Sequence, residues 1–91
     1  MPKFVIEREM PEVGHLSDAD FKGAAQKSCD VLQAMGPEVQ WIQSFVTENK
    51  IYCVYHAADE SLIREHAERS GFPASKISKV ERVIDPATAE A

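Results

Sequence analysis

Residues 39–57 read VQWIQSFVTENKIYCVYHA. Val39 to Val46 and Ile51 to Ala57 are rich in β-branched and aromatic residues, and the polar run Thr47-Glu48-Asn49-Lys50 separates them, so the stretch predicts a β-hairpin. A two-residue and a four-residue loop centred there give the same register: Val46 opposite Ile51, Ser44 opposite Cys53, Ile42 opposite Tyr55 and Trp41 opposite His56. Residues opposite one another share a face. One face would carry Ile42, Ser44, Val46, Ile51, Cys53 and Tyr55, and the other Trp41, Gln43, Phe45, Tyr52, Val54 and His56. Both are substantially apolar, whereas a sheet covered on one side only shows cleaner polar alternation. The second face is therefore expected to meet something too.

Working outward, each flank of the hairpin reads as a helix and then a strand. On the N-terminal side Ser17 caps a helix start, Asp18 and Asp20 suit its positive end, and Leu16 can staple onto Phe21. Phe21, Ala24, Ala25, Ser28, Val31, Leu32 and Met35 then recur at helical spacing until Gly36-Pro37 stops the run. On the C-terminal side Asp59 to Ser70 reads as a helix with Ile63, His66, Ala67 and Ser70 on one stripe, ended by Gly71-Phe72-Pro73. Lys3 to Arg8 and Ile77 to Ile84 read as the outermost strands. The order is β-α-β-β-α-β, an α+β ferredoxin-like arrangement: four antiparallel strands with two helices on one face. A single domain is expected over residues 1–86, with 87–91 a flexible tail.

Composition narrows the partners. The chain has 91 residues, 44% hydrophobic and 27% charged, the balance of a folded globular protein. Its net charge of −5, with basic residues scattered among acidic ones, argues against a nucleic-acid partner. The N-terminus lacks a signal-peptide pattern and no stretch is long and apolar enough to span a membrane, so a cytoplasmic protein is expected. There Cys29 and Cys53 should stay reduced. A domain this small buries a modest share of its surface, which makes association with a second copy attractive.

No CxxC, HExxH, Walker loop or dinucleotide fingerprint is present, so chemistry must rest on individual residues. Helical spacing aims His66 inward with Ile63 and Ala67, as a core histidine or as a ligand or proton carrier. Cys53 faces Ser44 and shares its face with Tyr55; such a cysteine packs as a small hydrophobe unless an electropositive neighbour activates it. Glu7 interrupts an apolar central strand, which is costly unless the carboxylate is exposed, paired or bound. Neighbouring Arg8 must point to the opposite face. His15, in a loop, and His56, at a strand end, are reserve ligands, and the remaining acids look like a solvated helix face.

The segments Trp41-Ile42-Gln43-Ser44-Phe45-Val46, Lys50-Ile51-Tyr52-Cys53-Val54-Tyr55, Arg64-Glu65-His66-Ala67 and Gly71-Phe72-Pro73-Ala74 together resemble a bacterial domain family of unknown function. One of its small members is described as a nickel-binding protein with a ferredoxin-like fold. The resemblance runs from Phe4 to Pro86 and implies that fold, a homodimer and a divalent-metal site.

Three functions compete at this point. The first is a dimeric module holding a divalent metal or a small ligand, with His66, Cys53 and Glu7 as metal donors. Mixed imidazole, thiolate and carboxylate donors suit nickel or zinc. The second is a dimeric α/β-barrel enzyme using His66 or Tyr55 as acid or base on a small organic substrate. The third is a structural or regulatory dimer without chemistry. In each, Trp41, Phe45, Tyr52 and Val54 are the expected dimer surface.

Overall fold

Alternation along Lys3–Glu9 builds the first strand, β1: Phe4, Ile6 and Arg8 turn to one side and are buried, whereas Lys3, Val5 and Glu7 turn to the other. The computed structural model describes residues 1–90 and continues through α1 (Asp18–Met35), β2 (Val39–Val46), β3 (Lys50–Ala57), α2 (Glu60–Ser70) and β4 (Lys76–Lys79). Short 3-10 turns occupy Val13–His15 and Pro86–Glu90. The strands form one antiparallel sheet in the order β2-β3-β1-β4, the ferredoxin-like topology. Phe4, Ile6, Val39, Cys53, Tyr55 and Ala57 of the sheet pack with Ile63 of α2, and Leu32 and Met35 of α1 close the same cluster. Both helices thus cover one face of the sheet.

Local chemistry sets the helix ends. Asp20 N donates to Ser17 Oγ at 3.1 Å and Ser17 N donates back to Asp20 Oδ2 at 3.2 Å, a reciprocal capping box with Asp in place of the usual Glu. At the other end Gly36 takes φ +93°, a conformation that side chains rarely adopt, while its N–H donates to Leu32 O. α2 starts on Asp59, whose side chain accepts from Ser61 N.

The hairpin departs from the expected register. Val46 faces Ile51 and Ser44 faces Cys53 as expected, but a β-bulge between Trp41 and Gln43 leaves Ile42 as the extra residue. Trp41 therefore pairs with Tyr55, and Gln40 with His56. The expected pairs Ile42–Tyr55 and Trp41–His56 do not form. Trp41 lands on the helix-covered face, away from Phe45, Tyr52 and Val54, because one inserted residue flips everything before it.

The last strand is also shorter than expected. β4 pairs Phe4 with Lys79, and Val80 N still donates to Lys3 O; beyond that point β1 has run out. A strand reaching Ile84 would have no ladder partner, and Val83 and Ile84 stand exposed. Of the tail expected at 87–91, Ala91 lies outside the described residues; Pro86–Glu90 form the second 3-10 turn.

Candidate functional site

α1 and the sheet do not meet fully. Of the eighteen residues of α1 only Ser28 is buried, because the helix turns Ala24, Ala25 and Ser28 toward the sheet, and small side chains leave the gap unfilled. The gap is a cavity of about 250 Å³. Trp41, Ser44, Cys53 and Tyr55 line it from the sheet, and Phe21 lines it from the helix.

A clasp over the hairpin turn shapes its mouth. Met10 N donates to Asn49 O, Gly14 N to Glu48 O and Glu12 N to Asn49 Oδ1, which ties the loop between β1 and α1 onto the turn. Gly14 approaches so closely that a Cβ there would lie 2.8 Å from Thr47 O, so no other residue fits without movement. The clasp holds Val13, buried, and Leu16, exposed, against the cavity.

The polar end is built by Arg8, which is only 2% exposed. Its Nε donates to Cys53 Sγ at 3.4 Å, Nη1 to Pro73 O at 2.8 Å and Nη2 to Tyr55 Oη at 3.5 Å. The Phe72 ring lies 5.9 Å from its Cζ, a cation–π contact. The Gly71-Phe72-Pro73 segment that ends α2 thus wraps this side chain. None of its partners is a carboxylate, and among the described residues no acid lies within ion-pair distance. Cys53 Sγ also accepts from Ser44 Oγ at 3.0 Å, and Ser44 Oγ accepts from Trp41 Nε1 at 2.9 Å. Burial pushes the Tyr55 phenol above its ordinary pKa, and the Arg8 charge opposes that rise.

His66 is fully buried behind the cavity wall. Its Nε2 lies 3.1 Å from Ser28 Oγ and 3.3 Å from Ser70 Oγ, its ring tilts against Tyr55 at 5.4 Å, and its Nδ1 has no hydrogen-bond partner among the described residues. Burial, and next the Arg8 charge, hold its pKa below the ordinary imidazole value. Ser28 and His66 form a pair but not a triad. Among the described residues no acid orients Nδ1, and the nearby cation disfavours the imidazolium that general-base catalysis would create.

The expected metal donors do not meet. Cys53 and His66 lie on the helix side, whereas Glu7 lies on the opposite face, where Lys50 Nζ approaches it at 3.6 Å. Among the described residues no three His, Cys, Asp or Glu side chains are placed to hold an ion. An Arg8 nitrogen on the Cys53 sulfur is a poor neighbour for a divalent cation. His15 is exposed and 3.6 Å from Glu48, and His56 is half-buried on the open face with Tyr52 and Val54. Phe45 stands 54% exposed on that face. Cys29 is exposed and free.

A sequence profile of the family described as "Nickel responsive protein SCO4226-like" matches residues 4–80. The chain belongs to this SCO4226-like family. The crystal structure of SCO4226 from Streptomyces coelicolor A3(2) superposes with a TM-score of 0.75 at 19% identity, covering 90% of this chain and 99% of that one. That likeness carries the fold. A comparison with curated proteins finds no match. Sequence reasoning missed Arg8 as the central residue, although its place in the alternation Phe4, Ile6, Arg8 was the available signal.

Proposed function

We propose that this member of the SCO4226-like family is a small-ligand binding module, with the cavity between α1 and the sheet as its site. The observation that carries the reading is an apolar cavity of about 250 Å³ whose polar groups gather at one end, around Arg8. Apolar walls with a few convergent polar groups are the usual build of a small-molecule site. Catalysis is the weaker reading, since His66 stands behind the wall rather than in it. Nickel is the ion in the family's name, but among the described residues of one copy no three His, Cys, Asp or Glu side chains converge, which favours the small-ligand reading.

Dimerisation through the open sheet face belongs to the same proposal. Phe45, Tyr52 and Val54 gather there, without Trp41, and burial of such a patch against a second copy would supplement a small core. Sedimentation at micromolar concentration should give twice the monomer mass, and a monomer would remove this part.

Trp41 is the only tryptophan and lines the cavity, so its emission reports occupancy directly. Titration with small aromatic molecules should shift or quench Trp41 fluorescence saturably. Linear, non-saturating behaviour with every probe would sink the proposal. Nickel added alone should leave the signal unchanged; a saturable nickel response that His66→Ala abolishes would restore the metal reading.

A further inference from the structure

We infer that the cavity takes a small apolar monocarboxylate, one ring or a short chain bearing a single carboxylate, with that carboxylate seated on Arg8. The inference rests on the small-ligand reading and specifies its chemistry. A buried charge is costly, and proteins place one inside almost only when it is paired. Arg8 is buried, yet its hydrogen bonds go to a sulfur, a backbone carbonyl and a phenol, and beside the face of the Phe72 ring it meets no negative charge among the described residues. The guanidinium fork carries more N–H donors than these three contacts use, and the side chain lines the cavity.

A carboxylate entering from the cavity supplies the missing negative charge, and Arg binds that planar group with parallel hydrogen bonds. Tyr55 adds a second donor. Its oxygen accepts from Arg8 Nη2 and its hydroxyl also meets Ser28, so the phenolic proton would turn from Ser28 to the other carboxylate oxygen. One uncompensated cation matches one negative charge, which disfavours dianions. Phe21, Ala25, Val13 and Leu16 provide apolar walls for the rest of the molecule. The size agrees, since a dry cavity of about 150 Å³ holds benzene and this one, at about 250 Å³, leaves room for a ring with a short acidic arm.

The test compares 3-phenylpropionate with its neutral amide, 3-phenylpropionamide, on the intact chain by calorimetry and Trp41 fluorescence. The acid should bind about 10- to 100-fold more tightly, the factor expected from hydrogen bonds to a charged group. Arg8→Met should erase that preference while keeping amide binding, and Arg8→Lys should keep part of it. Amide binding by Arg8→Met also verifies that the variant folds; if it does not fold, the wild-type acid-to-amide ratio and Arg8→Lys still decide. Equal affinity for acid and amide in the wild type would overturn the carboxylate assignment and leave the cavity as a neutral small-molecule site. Binding of neither compound at millimolar concentration would overturn both.

Discussion

The two helices occupy equivalent places in the fold and do different work. α2 lays Ile63, His66, Ala67 and Ser70 into the sheet and buries all four. α1 is longer, better capped at its start, and buries only Ser28. The cause is side-chain volume, since Ala24, Ala25 and Ser28 cannot reach across a distance that Ile63 and His66 fill. α2 supplies core; α1 supplies a wall with space behind it. Long helices need tertiary packing for most of their stability, so α1 is the element that an occupant of the cavity would reinforce.

This contrast is broken most directly by exchanging volumes. Ile63→Ala under α2 should cost about 2 to 5 kcal/mol, because it opens a hole in a filled layer. Ala25→Leu under α1 should change stability by less than about 1.5 kcal/mol, since the added carbons enter existing space. It should also abolish Trp41-detected ligand binding. Urea denaturation of the two variants checks both, and a large loss from Ala25→Leu would mean that α1 packs as tightly as α2.

A smaller effect should come from the ends of α1. Ser17→Ala removes one half of the capping box and should cost about 1 kcal/mol. Gly36→Ala should cost on the order of 1 kcal/mol through strain at positive φ. Denaturation midpoints that ignore both substitutions would show that α1 is anchored from within rather than at its ends.

The smallest effect is confined to acid pH and belongs to α2. His66 has its folded pKa held below the unfolded value of about 6.5, so the unfolded chain takes up a proton that the native one refuses. Its contribution is present above the unfolded pKa and is lost as pH falls through that value toward the folded one. Stability measured at pH 7.5 and 5.5 should drop more in the wild type than in His66→Gln. Equal drops would mean that the imidazole accepts a proton in the folded state.

The hairpin shows how far alternation alone reaches. It correctly paired Ser44 with Cys53 and Val46 with Ile51, because turn chemistry at Thr47 to Lys50 sets register locally. It failed beyond Ile42, since a bulge changes the face of Trp41 without changing the pattern of residue types. The sequence predicts a last strand from Ile77 to Ile84, but a strand needs a partner, and β1 begins at Lys3. At the site, the inward aim of His66 was legible from helical spacing. The separation of Glu7 from Cys53 and His66 was not, because nothing in the sequence states which sheet face the helices cover.

What the sequence by itself determined is the set of local choices: Ser17 and Asp59 as helix starts, Gly36 and Gly71 as stops, the hairpin and its polar turn, and the alternation that sends Glu7 and Arg8 to opposite faces. These depend on capping, backbone freedom and periodicity, all settled within a few residues. Only the tertiary structure decided that Arg8 is the buried one, that Trp41 turns inward at the bulge, and that α1 stands off from the sheet to leave a cavity. Those outcomes depend on how volumes meet across layers, and the residues that meet, such as Arg8 and Pro73 or Ser28 and His66, are 65 and 38 positions apart in the chain.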